Sequence, residues 1–402
     1  MILIVYLILI NVKLIFMTNS TFQKSFLITC SQGFLFMFLV SMWFVYTPVL
    51  FDYINITKTQ YGLTGVIFGV ANILTNQIAT RFLIPKIGTT NALALSRGMF
   101  ALIPFLIFFF SNLQLLFLFS LFWGMAIGIQ SPSMFTQIAI LEEKTNKILN
   151  PIFKASIGLG TLLGAVFSSW CLAFNFNPTI VFLGVGTLII FSILAVIIFG
   201  LPRNFDYINE SPNFTLPSRK VFLFAVNLMI WYAIIGIILN WSSVWLVEDL
   251  LTSIYLAGFI VIFFQFGEIS GNLAGGKLLK KYSDKVVGPY FSIIGATILF
   301  LSIVNMNIYL IFFSVMVFGF LTSNIIPIVY RRVVKVSDEP VPVIISHISS
   351  ISFAGIIFGP ALTGFSADLF GLTFNMYALC VAVLLLSINL IIIMNRYVIK
   401  KS

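Results

Sequence analysis

The sequence predicts an all-α polytopic membrane protein with twelve transmembrane helices, arranged as two six-helix bundles related by a pseudo-two-fold axis. Three observations lead there. Of 402 residues, 60% are hydrophobic and 8% charged, with 45 phenylalanines, a composition that would aggregate in water. Apolar stretches of about 20 residues, enough to cross a bilayer core as helix, recur about a dozen times. The chain also matches itself at one fixed offset.

Taken in order, residues 1–16 are apolar but short for a span. They lack a basic start and a small-residue cleavage site, so a cleaved signal peptide is not expected. Met17 opens the polar stretch T-N-S-T-F-Q-K-S and is the expected natural initiator within an N-terminal segment, 1–24. The first bundle, 25–200, holds spans at roughly 25–50, 61–84, 90–110, 113–140, 151–174 and 178–200. A linker follows at 201–220, with five charges and the prolines Pro202, Pro212 and Pro217, a poor helix and a poor membrane segment. The second bundle, 221–397, holds spans at roughly 221–246, 254–276, 287–304, 308–330, 343–366 and 374–395.

Placing the 22 lysines and arginines on that map puts 21 of them at or near one side, and only Lys58 falls outside the pattern. Under the positive-inside rule that side is cytoplasmic, so the linker and both termini are expected inside a plasma membrane, the inner membrane of a bacterium. The net charge of +10 therefore sets topology and touches lipid headgroups; no nucleic-acid partner is implied. Cys30, Cys171 and Cys380 lie in apolar segments and read as small buried hydrophobes rather than as disulfides or metal ligands. His347 is the single histidine, which argues against a histidine-based metal centre or acid–base triad. No cofactor is expected, and a monomer in the bilayer is.

Sliding the chain by 195 residues pairs Gln32 with Asn227, Tyr46 with Trp241, Leu83 with Leu278 and Lys86 with Lys281. It also pairs Asn112 with Asn307, Gly124 with Gly319, Pro132 with Pro327, Gly160 with Gly355 and Gly164 with Gly359. An even number of spans per repeat gives both copies the same orientation, hence the parallel pseudo-two-fold arrangement.

From span 1 to span 12 the chain resembles the major facilitator superfamily. The loop 2–3 signature of that family, G-x-L-x-D-R-x-G, appears degraded as R-F-L-I-P-K-I-G from Arg81 to Gly88, and again as G-K-L-L-K-K-Y-S from Gly276 to Ser283. Its acidic position, which helps latch the cytoplasmic gate, is Pro85 in one copy and Lys280 in the other. The resemblance implies gating loops at Leu83, Lys86 and Gly88 and at Gly276, Leu278 and Lys281. Span 11, with Gly355, Gly359, Pro360, Gly364, Asp368 and Gly371, looks like a glycine pattern common in these permeases. Span 7 from Gly236 to Leu246 resembles a D-W-S-x-x-Y-L stretch of a little-characterised bacterial branch, with Asn240 in place of the acid. Glycine pairs four apart, such as Gly267/Gly271, are expected to let helices approach closely.

Two nucleotide-site look-alikes fail. G-N-L-A-G-G-K-L from Gly271 has Leu278 where a phosphate loop needs Ser or Thr, and G-L-G-T-L-L-G from Gly158 misses the dinucleotide spacing; both lie in apolar spans. The sharper signal is Glu268, about 12 Å by helical rise from the cytoplasmic end of span 8, on one face with Gln265 and Asn272. A charge inside lipid faces a cavity or a partner, so Glu268 is expected to carry a coupling proton, against the alternative of a structural ion pair with Arg97 or Lys154. Gln32, Trp43 and Tyr46 in span 1 share a stripe with Phe36, as do Asn227, Trp231 and Trp241 in span 7. The resemblance implies that spans 1, 4, 7 and 10 line a central cavity, which adds Gln130 and Asn324 to the substrate set; helix packing is the competing explanation. Asn72 and Asn76 are expected to glue helices, and Arg81, Arg97 and Lys154 to extend to the cytoplasmic surface.

The expected function is secondary active transport of a small polar organic solute by alternating access, as proton-coupled symport, with no enzymatic activity. Proton-antiport efflux of a drug or metabolite is the alternative, and a transporter-like sensor without flux a rival of another class. A membrane transferase would need larger extramembrane loops than these.

Overall fold

In the computed structural model, residues 20–107, 112–147, 149–206, 216–337 and 341–397 are described. The N-terminal segment with Met17 and the middle of the linker, with Pro212, lie outside them. The described residues form helices without a strand, and eleven of the helices are long and apolar enough to cross a membrane. A further helix, Thr89–Ile107, occupies the place of span 3. The remaining spans are Ser20–Ile54, Lys58–Ile87, Leu113–Thr145 and Ile152–Ala173, then Pro178–Phe199, Arg219–Glu248 and Ile254–Lys281. Val286–Asn305, Ile308–Val336, His347–Phe370 and Leu372–Arg396 complete the twelve. Large apolar side chains such as Phe82, Ile180, Leu273 and Leu362 stand exposed along them, as lipid-facing residues must.

Contacts divide the chain into two compact units. One takes the chain up to Trp43 and from Ile67 to the linker; the other takes Phe44–Val66 with the second half. A core of the first unit gathers Phe22, Phe26 and Cys30 of span 1 with Met134 and Leu141 of span 4, Phe153 of span 5 and Val196 of span 6. All three cysteines are buried free thiols.

The repeat is built into this packing. A Cβ on Gly160 would lie 2.2 Å from the Phe34 carbonyl oxygen, and one on Gly355 would lie 1.8 Å from that of Met229. The glycines are 195 positions apart, and so are their partners (355 − 160 and 229 − 34). Spans 1 and 5, and again spans 7 and 11, therefore touch backbone to backbone, as small residues allow. Capping repeats too. Asn112 accepts from the Gln114 N–H at 2.8 Å to open span 4, and Asn307 accepts from the Tyr309 N–H at 3.0 Å to open span 10.

Span 10 departs from span 4. Leu113–Thr145 runs unbroken through Pro132, whereas span 10 is two helices, Ile308–Thr322 and Ile325–Val336, interrupted at Ser323 and Asn324. Span 2 carries a π-turn at Ala79–Leu83 and span 9 one at Val286–Tyr290.

Candidate functional site

In the first unit, polar side chains meet where spans 1, 3, 4 and 6 pack. Arg97, on span 3, is fully buried; one guanidinium nitrogen donates to the Gln32 carbonyl, and the group faces the Phe100 ring at 5.6 Å. Its Nε and Nη1 have no acceptor. The expectation that Arg97 extends to the surface is therefore corrected: a helix carbonyl and an aromatic face hold it inside. Arg81 and Lys154 are exposed as expected.

The Gln32 Oε1 accepts from the Ser192 hydroxyl at 3.3 Å, while its Nε2 is buried without an acceptor. Gln137 donates to the Thr90 hydroxyl at 3.1 Å, fixing the antiparallel register of spans 3 and 4. Seven residues further along each helix, that register brings Arg97 level with Gln130. Gln130 is buried; among the described residues its amide bonds the Met134 sulfur at 3.9 Å and its Oε1 has no donor. Trp43 stacks on Phe119 at 5.4 Å and meets Trp123 edge-on at 5.1 Å; Tyr46, in the part of span 1 that belongs to the second unit, is buried.

The second unit separates its predicted residues. Asn227 is buried with both amide atoms unpartnered, and Trp231 lies 6.1 Å from the Phe318 ring. Trp241 is fully enclosed. Its Nε1 donates to the Pro360 carbonyl at 3.0 Å and its ring meets Tyr61 edge-on at 5.3 Å, so in this conformation it packs helices together.

Along span 8 one face grades from buried Gln265 through half-buried Glu268 to exposed Asn272. Glu268 forms no hydrogen bond or ion pair among the described residues. The adjacent stretch of span 8 fits the break in span 10. Asn324 donates to the Gly271 carbonyl at 3.1 Å and to the Ser323 hydroxyl at 2.9 Å, and a Cβ on Gly275 would lie 2.1 Å from its Oδ1. Gly271 and Gly275 thus make room for the interruption. Sequence reasoning passed over two tyrosines of this unit: Tyr232 on span 7, near Glu268, and Tyr330, whose hydroxyl bonds that of Ser349 at 3.1 Å.

Each loop signature has an acid at its edge, one distant in sequence and one adjacent. Gly88 has φ +83°, and a Cβ there would lie 2.5 Å from an Asp206 carboxylate oxygen. That carboxylate accepts from the Thr89 hydroxyl at 2.7 Å and the Thr90 N–H at 3.1 Å, so the first residues of the linker cap span 3. Leu83 closes the π-turn and Lys86 is exposed. In the second copy Asp284 pairs with Arg331 and, at 3.4 Å, with Arg332, while the Lys281 ammonium lies over the Tyr282 ring at 5.3 Å. Gly276 and Leu278 sit in the last turns of span 8. No spacing rule points to Asp206, because its partners lie 116 and 117 positions away.

Known proteins match this architecture. The chain is similar to an uncharacterized MFS-type transporter of Yersinia pestis, 26% identical over 352 residues, covering 87% of this chain and 90% of that one. Its fold is similar to the crystal structure of the nucleoside transporter NupG, with TM-score 0.73, 13% identity and coverage of 94% of this chain and 99% of that one. It is similar also to a bacterial homologue of the human lysosomal transporter Spinster in an inward-facing, unoccupied conformation, with TM-score 0.74, 12% identity and coverage of 94% and 98%. The sequence model of the Major Facilitator Superfamily matches residues 28–286, well over half of the chain. The chain belongs to that superfamily and is a multi-pass membrane transporter, not an enzyme.

Proposed function

We propose that the chain carries a small polar organic solute by alternating access between its two six-helix bundles, in symport with protons. Glu268 supports this reading most directly, as an acid within span 8 with no counter-charge or hydrogen bond among the described residues. Such a group is costly in a membrane protein unless it serves a pathway. Gaining and losing a proton switches its charge, which is what coupling to a proton gradient requires. The open hydrogen-bonding positions on Gln32, Gln130 and Asn227 favour a solute that brings polar groups of its own. The interruption at Asn324 is of the kind that marks binding regions in transporters built from repeats. Trp43, Tyr46, Trp231, Trp241 and Gln265 complete the proposed substrate set in states more open than this one.

The charge map supports a topology in which both termini and the linker lie on the cytoplasmic side of a bacterial inner membrane. A reporter inserted after Arg203 should read as inside and one after Asp249 as outside; the reverse at either site removes this topology.

For transport itself, a thermal-shift screen over sugars, amino acids, organic acids and nucleosides should identify a stabilising ligand. Proteoliposomes with an alkaline interior should then accumulate it. Accumulation driven only by an acidic interior would mean antiport. A bound ligand that neither accumulates nor exchanges would mean a sensor.

A further inference from the structure

Among the described lysines and arginines of the first unit, only Arg97 is buried. It stands about 12 Å by helical rise from the start of Thr89–Ile107. Its two partners attract a cation without neutralising it. The Gln32 carbonyl is a helix dipole, and the Phe100 ring, at 5.6 Å, offers a π-face. The guanidinium Nε and Nη1 have no acceptor.

The described acids of the same unit are engaged elsewhere. Glu142 caps span 5, accepting from the Leu149 N–H at 2.6 Å and the Asn150 N–H at 2.8 Å. Glu143 pairs with Lys144 at 3.4 Å, and Asp206 caps span 3. All three lie at or beyond helix ends. A guanidinium stays charged where a buried lysine would shed its proton. Such a group within a membrane span calls for an anion.

The neighbouring amides bear on what that anion is. Gln32 Nε2 is a further donor without an acceptor, and Gln130, level with Arg97, has an Oε1 without a donor. The guanidinium and the Gln32 amide suit the oxygens of a carboxylate, and the Gln130 oxygen suits a hydroxyl or N–H of the same molecule. One buried cation balances a monoanion. A phosphate ester, at about −1.5 to −2, would leave excess negative charge buried.

We propose that Arg97 binds the solute directly and that the solute is an organic monocarboxylate. This deepens the reading of a small polar solute and rests on it.

The test measures melting midpoints of the full chain in detergent, at constant ionic strength. The probes are acetate, lactate, gluconate and benzoate, each beside its neutral amide, with inorganic phosphate as a further anion. At least one acid should raise the midpoint while its amide does not. The apparent Kd of that acid should rise at least about tenfold in Arg97→Met, the effect of losing a charge-assisted contact. Arg97→Lys, which keeps the charge but not the planar fork, should fall between.

No shift from any of the acids overturns the proposal, as does an amide that works as well as its acid. Affinity unaltered in Arg97→Met, or phosphate bound more tightly than every carboxylate, overturns it too. If Arg97→Met does not fold, the contrast of acid with amide and the weakening in Arg97→Lys decide. Midpoints read binding rather than flux. A monocarboxylate that binds through Arg97 but neither accumulates nor exchanges ends the transport reading and leaves the anion site standing. A neutral solute accumulated with protons does the reverse.

Discussion

Spans 1 and 5 of one unit and spans 7 and 11 of the other make the same joint twice, with Gly160 seated on the Phe34 carbonyl and Gly355 on that of Met229. The polar interior repeats only in the buried amides Gln32 and Asn227; its charges do not. The position equivalent to Arg97 is Ser292, whose hydroxyl turns back to the Gly288 carbonyl of its own helix at 2.8 Å. The equivalent of Glu268 is Ile73, and that of Asn324 is Ile129. Packing is therefore duplicated while charge and helix breaks are not. On the proposed function, the shared joint would let each bundle move as one body, and the solute and proton sites would lie mainly where the copies have diverged.

The largest effect should come from attacking the duplicated joint. A Cβ at Gly355 or Gly160 collides with a helix carbonyl that cannot step aside, so Gly355→Ala and Gly160→Ala should each destabilise by about 3 kcal/mol or more. Gly98 and Gly184 have nothing within 4 Å of an added Cβ, and alanine there should be neutral or stabilising by about 0.5–1 kcal/mol. Melting midpoints in detergent measure all four. Equal losses are expected at the two joint glycines, and a tolerated Gly355→Ala would show that the two joints are not equivalent.

Arg97 should behave in the opposite way. A buried cation without a counter-charge costs several kcal/mol, so Arg97→Met, similar in length and apolar, should hold or raise the midpoint. If the divergent positions carry function, uptake of the identified ligand should fall at least about tenfold in the same variant. A variant that melts early and transports normally would make Arg97 a packing residue.

A smaller and more local effect is expected at the interruption of span 10. Gly275→Ala should expel the Asn324 amide from the Gly271 carbonyl, at a cost of about 1–3 kcal/mol. Asn324→Ala removes the atom that the new methyl strikes, so the double variant should lose less than the sum of the two. Strict additivity, measured by midpoints or denaturant titration, would show that span 8 does not shape the break.

Much of the fold was legible because membrane helices announce themselves by length and the second half confirms the first. Asn112 and Asn307, matched by offset alone, prove to be equivalent caps. The loop glycine Gly88 was legible as part of a signature, but its reason was not. Asp206, which fills the space a side chain would need, belongs to the linker and reaches loop 2–3 only through folding. Arg97 was misplaced because distance from a helix end tells how far a side chain can reach, not which acceptor lies nearer. The aromatic stripe of span 7 was read as one face, yet periodicity does not say whether Pro360 or a cavity stands opposite Trp241, and the structure sets Trp231 by Phe318 instead.

If proton coupling resides where the two copies differ, Glu268 carries it. Glu268→Gln keeps the size and hydrogen-bonding capacity of the side chain and fixes it neutral. Reconstituted in proteoliposomes, that variant should fail to accumulate the ligand under a pH gradient, while exchange at equal concentrations on both sides continues at the rate of the parent. Exchange needs only the loaded carrier to reorient, whereas net uptake must also return the proton. Accumulation against a gradient by Glu268→Gln, equal to that of the parent, would contradict the claim and make the acid of span 8 structural.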